Sequence, residues 1–315
     1  MIQRDRNNGQ IGGMSVTSDG KRLVLWRIDP QIQAFISDFD LSTRKWKTPR
    51  RLTLDANGNM ATGWLSDSRT VLFISNRNGT WALFEQAMDE TTAEVLVEGH
   101  SIFLPRLSAD GSQILYQSRV DPANHSLPAS VMRLAVAGGS PQLVLQDFGI
   151  TNHQFARLPS TLCLYSKAQG GDMIYVSFDP EHGVGRELLR SGDSWDNWSL
   201  SPDGKTLAVF PGDHRIRFFS LENGVVHEDK TVTLNDWRLE NGDWSADGKG
   251  MQMQSVTPAG TPVMLEVNRD GKTSVALEGA ANTSFWFMIQ APDSRHGILG
   301  LEVPGDNNAW MIDNF

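Results

Sequence analysis

A short motif built around a tight turn recurs seven times in this sequence of 315 residues, and the repeat constrains the fold more than any other feature. The clearest copy, LSPDGKTLAVF, spans residues 200–210. Asp203 can accept hydrogen bonds from nearby backbone amides, and Gly204 tolerates the positive φ that a short hairpin turn requires. An apolar run typical of a β-strand follows. The motif therefore predicts two strands joined by a tight turn.

The seven copies follow one another at a regular distance. Their turn positions are Asp19, Asp67, Asp110, Leu158, Asp203, Asp247 and Asp293. Successive positions differ by 43 to 48 residues. This period fits a four-stranded propeller blade and is too long for a leucine-rich repeat or a β-helix coil. The fourth copy lacks the Asp-Gly pair but keeps Phe155, Leu162 and Leu164, so we expect packing to preserve its register.

Apolar residues recur at fixed distances from the turn. Three positions before it stand Val16, Trp64, Leu107, Phe155, Leu200, Trp244 and Gln290, of which six are apolar. The positions four, five and six residues after the turn are also mostly apolar. A strand with one face in solvent would alternate, so this pattern predicts a second strand covered on both faces, as in stacked sheets.

These observations predict an all-β fold, a seven-bladed β-propeller with four-stranded antiparallel blades, formed by residues 1–315 as one domain. The chain reaches only the third strand of the seventh copy, so we expect residues 2–6 to supply the missing outer strand and close the ring. N-terminal pairing in the last blade would leave no unpaired edge there. The predicted blades span residues 10–54, 59–97, 102–145, 152–189, 195–234, 241–277, and 284–315 with 2–6.

Composition narrows the classes of partner. Asp and Glu outnumber Lys and Arg by 37 to 28, and the charges are mixed along the chain, so we expect no nucleic-acid partner. No run approaches the roughly 20 apolar residues of a membrane span, and the first eight residues lack the apolar middle of a secretory signal. The single cysteine, Cys163, excludes an intrachain disulfide and lies in a buried strand column, which indicates an inert apolar side chain.

The S-x-D-G-K turns, the apolar second strands and fourth strands such as residues 50–54 resemble the repeat of the TolB-type (WD40-like) β-propeller family over essentially the whole chain. Propellers of this family occur in TolB and as sensory domains of bacterial kinases and regulators. The resemblance implies a binding module of an envelope or signalling system with a periplasmic or other extracytoplasmic location. The sequence itself leaves the compartment open, and the chain as a domain of a larger protein is an alternative.

Ligand sites of propellers cluster around the central channel, on the face that carries the loops between fourth and first strands and between second and third strands. We call this end the loop face and the opposite end, which carries the seven repeated turns, the turn face. Polar and aromatic residues from separate blades are expected to form a pocket at the loop face. They are Arg77, His100, Arg119, His153, Trp195, Asn197, His214 and Trp237.

The sequence favours a non-enzymatic propeller that binds a protein, a peptide or a small ligand at the loop face. The alternative is a hydrolase or lyase that acts on a carbohydrate or peptide at the channel mouth, with His100 and His153 as base or metal ligands. Oligogalacturonate lyases are propellers of that kind. Neither an H-x-H nor an H-E-x-x-H spacing is present, and no G-x-S-x-G motif supplies a nucleophilic serine, so we expect no metal, no cofactor and no catalytic residue.

Overall fold

The structure of the protein is a computed structural model. It describes residues 10–28, 31–55, 57–121, 124, 127–192, 197–222, 225–280, 283–303 and 308–313. Throughout these residues the regular structure is β-strand, with 28 strands in seven sheets. Within the described residues, we find no helix with the length and apolar character needed to cross a bilayer.

The strands are numbered along the chain. The first nine are β1 (Gln10–Val16), β2 (Arg22–Ile28), β3 (Gln31–Asp40), β4 (Lys45–Trp46), β5 (Arg50–Arg51), β6 (Asn59–Trp64), β7 (Thr70–Ser75), β8 (Ala82–Ala87) and β9 (Glu94–Val97). The next eight are β10 (Ser101–Leu107), β11 (Gln113–Arg119), β12 (Ala129–Ala135), β13 (Gln142–Asp147), β14 (Ile150–Phe155), β15 (Cys163–Gln169), β16 (Asp172–Asp179) and β17 (Gly183–Ser191). The last eleven are β18 (Asn197–Leu200), β19 (Thr206–Phe210), β20 (Arg215–Ser220), β21 (His227–Thr233), β22 (Gly242–Trp244), β23 (Gly250–Val256), β24 (Pro262–Asn268), β25 (Thr273–Glu278), β26 (Ser284–Gln290), β27 (His296–Val303) and β28 (Asn308–Asp313).

Five sheets are antiparallel blades of four consecutive strands: β6–β9, β10–β13, β14–β17, β18–β21 and β22–β25. The repeated motif forms the hairpin between the first and second strands of a blade. In the copy at Asp203, the carboxylate accepts the Ser201 hydroxyl (2.6 Å) and the backbone N–H of Lys205 (3.0 Å), and Gly204 has a φ of +71°. Every residue of β19 is buried, as the apolar columns predict. The prediction of an all-β propeller with four-stranded antiparallel blades is confirmed.

The first and last sheets are paired differently from the prediction. We expected β3 to follow β2 in the first blade and β28 to follow β27 in the last. Instead β3 pairs with β27 along eight residues, from Asp38 opposite His296 to Gln31 opposite Val303, and β28 pairs with β2. An N-terminal strand therefore does complete the last blade, but it is β3. The strand predicted at residues 2–6 lies outside the described residues.

Burial explains the exchange of strands. β3 is buried on both faces: Ala34 and Ile36 pack towards β6 and β7, whereas Phe39 packs towards β24 and β25. Pairing with β27 places β3 between two blades, where both faces leave water. The sheet β1–β2–β28 gives no such cover, since Met14 is 72% and Trp310 58% exposed.

Six apolar clusters join neighbouring sheets into a closed ring. Each cluster draws its residues from two adjacent blades, and one of them joins β22–β25 to the composite blade formed by β26, β27, β3, β4 and β5. Seven sheets are present, as the seven copies predict, and six of them surround the channel. In the described part of the chain, the sheet β1–β2–β28 contributes no residue to these clusters or to the channel wall.

Candidate functional site in the central channel

The wall of the channel is formed by the first strand of each of the six blades. Side chains of a strand alternate between its faces, so every second residue of these strands faces the channel. One layer lies four positions before each repeated turn and contains Gly63, Arg106, Gln154, Ser199, Asp243 and Ile289. A second layer lies six positions before the turn and contains Ala61, Leu104, Asn152, Asn197, Asn241 and Phe287.

The channel consists of two chambers. The turn chamber, of about 380 Å³, opens among the repeated turns and is lined there by Asp110, Pro202 and Pro292. The loop chamber, of about 290 Å³, opens at the loop face, where Asn152, Asn197 and Asn241 lie at the starts of their strands. The chambers meet at five residues that line both of them: Thr62, Arg106, Gln154, Asp243 and Ile289.

An ion pair lies where the two chambers meet. Arg106 Nη1 is 3.6 Å from Asp243 Oδ2, and each side chain is about one-fifth exposed. The Asp243 carboxylate also accepts hydrogen bonds from the Ser199 hydroxyl and from the backbone N–H of Trp244. Arg106 Nε is buried and has no hydrogen-bond partner among the described residues. Arg106 thus has fewer of its hydrogen-bonding groups paired than Asp243 has. A buried donor without an acceptor lowers the stability of the folded protein.

Gln154 fixes the position of the neighbouring channel residues. Its Nε2 donates to the carbonyl oxygen of Trp198 (2.9 Å), and its Oε1 accepts from the backbone N–H of Leu200 (2.8 Å) and lies 3.3 Å from the Ser199 hydroxyl oxygen. Ser199 in turn donates to Asp243. A chain of hydrogen bonds therefore runs across three blades and holds the Asp243 carboxylate in place.

A second arginine lines the turn chamber. Arg157 donates from Nη1 to the carbonyl oxygen of Ala246 (3.3 Å), which belongs to another blade. Burial lowers the pKa of its guanidinium, an effect that the nearby Asp243 carboxylate partly offsets. Water therefore solvates this cation incompletely.

The predicted site residues divide by location. Asn197 lines the loop chamber, where its Nδ2 donates to the carbonyl oxygen of Glu240 (2.7 Å). His214 and Trp237 are brought together by a contact of 2.8 Å between His214 Nδ1 and the Trp237 carbonyl oxygen, yet neither lines a chamber described above. His100 is exposed. Trp195 lies outside the described residues.

The two arginines of the predicted set hold loops together. Arg77 forms an ion pair with Asp55 (2.9 Å), donates to Asn59 Oδ1 (2.9 Å) and lies over the ring of Phe84. Arg119 donates to the carbonyl oxygen of Ile150 in the next blade (2.7 Å). Both contacts join strand ends, which is a structural use of the guanidinium group.

His153 lies between two blades and not in the channel. Its side chain is fully buried, with Nε2 3.3 Å from the carbonyl oxygen of Leu115 and the ring against Phe155. Burial and, to a smaller extent, the Arg106 charge lower the pKa of His153 to about 3. The imidazole is therefore neutral at physiological pH, and Nδ1 has no hydrogen-bond partner among the described residues.

Arg106, Gln154 and Asp243 are channel residues that the sequence prediction did not include. A signal for them exists in the repeat. The position four residues before the turn is polar in five copies, whereas the next position is apolar in six. Alternation of this kind in the first strand indicates a polar channel face beside a buried face. The described residues contain no group of three or more His, Cys, Asp or Glu side chains arranged to hold a metal ion.

Comparisons with known proteins agree with this architecture. Neither a family model nor a curated protein matches the sequence. Among solved structures, a protein from Agrobacterium tumefaciens described as TolB is 17% identical with a TM-score of 0.65, over 87% of this chain and 99% of that one. TolB from Acinetobacter baumannii is 13% identical with a TM-score of 0.57, over 96% and 81% of the two chains. A gluconolactonase from Xanthomonas campestris is 13% identical with a TM-score of 0.57, over 93% and 98%. The likeness shows that this chain has the fold of a TolB-type β-propeller.

Proposed function

We propose that the protein is a non-enzymatic binding propeller that holds a small ligand or an extended peptide segment in its central channel. The observation that carries this proposal is the convergence of polar side chains from four neighbouring blades on the channel wall, with apolar side chains such as Ala61, Phe287 and Ile289 from the other two blades. A few fixed polar groups against an apolar wall are typical of ligand pockets. Both chambers together provide the several hundred Å³ that such pockets occupy.

Asn152, Asn197 and Asn241 support this proposal at the loop chamber. Each amide carries both a donor and an acceptor, and the three residues come from neighbouring blades at the same level of the channel. The loop face was the expected site, and Asn197 is the predicted residue that lines it. A role in an envelope or signalling system, which the resemblance implies, is part of the proposal.

The enzymatic alternative lacks a comparable observation. One of its two histidines, His153, is enclosed between blades, so a ligand in the channel has no access to its ring. The solved structures with a similar fold include a gluconolactonase and an oligogalacturonate lyase, but at 13% identity they show the fold alone.

The test is a screen of dipeptides, sugar acids and small acidic, basic and neutral fragments by saturation-transfer NMR. In a parallel variant, Ile289→Trp, a larger side chain fills the level that both chambers share. The control, Val184→Trp, adds the same ring at an exposed position of an outer strand. We expect binders whose signal is lost in the Ile289 variant and kept in the control. A screen without binders, or binders that both variants retain, would refute a site in the channel.

A further inference from the structure

The interior of the turn chamber carries more positive than negative charge. Arg106 and Arg157 both line it, and Asp243 is the acidic side chain in its interior. Asp110 also lines it, but at the exposed rim, where its carboxylate accepts the Ser108 hydroxyl (2.6 Å) and the Ser112 N–H (3.0 Å). These bonds hold Asp110 at the rim but leave its negative charge, so the whole lining sums to zero, whereas Arg106, Arg157 and Asp243 in the interior sum to one positive unit.

Neither arginine uses its full hydrogen-bonding capacity. A guanidinium has five N–H donors in a fork that matches a carboxylate. Arg106 lies 3.6 Å from Asp243, beyond normal hydrogen-bond length, and its buried Nε has no partner among the described residues. Among the described residues, the Arg157 side chain makes one long hydrogen bond, to a neutral carbonyl oxygen. An anion in the chamber would supply acceptors that these side chains lack.

Apolar side chains complete the wall of the turn chamber. They include Trp64, Leu107, Phe155, Leu200 and Ile289. Charged hydrogen bonds inside a cavity with apolar walls are stronger than the same bonds in water, because the local dielectric constant is lower. The shape and chemistry fit a ligand that joins an anionic group to an apolar body.

The charge balance selects the kind of anion. Asp243 remains beside Arg106, held by Ser199 and Trp244, and it repels a second negative charge. A group with one negative charge neutralises the net positive unit, whereas a phosphate dianion would exceed it. A carboxylate also matches the planar fork of an arginine.

We propose that the turn chamber binds the carboxylate of an organic acid or of a peptide C-terminus, with Arg106 and Arg157 as its donors and the apolar part of the ligand against Leu107 and Phe155. This inference rests on the proposed binding function and names its ligand class. It uses the end of the channel opposite to the loop face. Because Arg106 lies where the two chambers meet, we expect the carboxylate at the inner end of the turn chamber.

The experiment compares 3-phenylpropanoate with its neutral amide, by the change in tryptophan fluorescence and by the shift in melting temperature. Trp64 and Trp244 line the chamber and report occupancy. We expect the acid to bind at least about tenfold more tightly than the amide, since charged hydrogen bonds are the stronger ones. Each of the variants Arg106→Gln and Arg157→Gln should weaken binding of the acid by at least about tenfold.

Arg133→Gln is the matched control, because Arg133 pairs with Glu181 and Gln142 on the outer surface and should leave the affinity within about twofold. Equal affinity for acid and amide, or full affinity in either channel variant, would overturn the inference. If neutral fragments still bind and Ile289→Trp abolishes their binding, the proposed function survives that failure. A tripeptide ending in Phe, with a free or an amidated C-terminus, separates the two sources: tighter binding of the free tripeptide than of 3-phenylpropanoate assigns a peptide, and the reverse assigns an organic acid.

Discussion

At the scale of single residues, His153 connects packing to pH. The repeat predicted a strand at this position but not the direction of the imidazole, and the residue was expected at the channel mouth. The structure encloses it between two blades, where burial lowers its pKa to about 3, well below its ordinary value of 6.5. Between these two pKa values, the imidazole binds a proton in the unfolded chain but not in the folded protein.

His153 should therefore make stability fall with acidification. Below pH 6.5 the unfolded chain takes up a proton at this residue while the folded chain does not, so the free energy of unfolding decreases by up to about 1.4 kcal/mol per pH unit. Urea unfolding at intervals between pH 7 and pH 5, above the range of most carboxyl groups, measures this slope. His153→Gln should flatten it, whereas His100→Gln, at an exposed position, should keep it. An unchanged slope in the His153 variant would contradict this account.

At the scale of the element, the repeated hairpin supports the ring as well as its own blade. Gly204 has a φ of +71°, and a Cβ at this position would lie 3.0 Å from Ala156 Cβ and even closer to Ser160 Oγ, both in the preceding blade. Gly20 occupies the same position in the first copy with a φ of +68°, but it has no atom of another residue nearby. The sequence is DG in both turns, so the motif predicted the hairpin and its glycine but not the contact between blades.

Alanine at these two glycines separates backbone strain from packing. Both substitutions place an L-residue at a positive φ, which costs about 1 kcal/mol. Gly204→Ala also forces the neighbouring blade to move, and overpacking of this kind costs about 1 to 3 kcal/mol more. Urea unfolding of the two variants should show the larger loss for Gly204. Equal losses would mean that the turn of the fifth copy does not pack on the fourth blade as described.

At the scale of the whole molecule, the repeat predicted how many sheets the chain forms but not how its ends are joined. The five internal blades follow from the apolar columns, since each blade is built from consecutive strands. The exchange of β3 and β28 did not follow, because pairing of β3 with β2 or with β27 satisfies the same local pattern. The Arg106–Asp243 pair was missed for a similar reason: two blades separate these residues along the chain, and they approach each other only when the ring of blades encloses the channel. Ring closure through β3 and β27 is thus the claim on which the channel and both proposals depend.

A disulfide across the closing pair tests this claim most directly. Asp38 and His296 are opposite each other in the register of β3 and β27, and the backbone N–H of the next residue, Phe39, donates to Arg295 O (2.7 Å). The pair is therefore of the non-hydrogen-bonded type, whose closer Cα atoms suit a disulfide. Under mild oxidation, Asp38→Cys/His296→Cys should form an intrachain bond that joins the two ends of the chain, seen as a shift in mobility on a non-reducing gel that reduction reverses. Each single variant should show no shift. Two thiols that stay free in the folded double variant would contradict closure by β3 and β27.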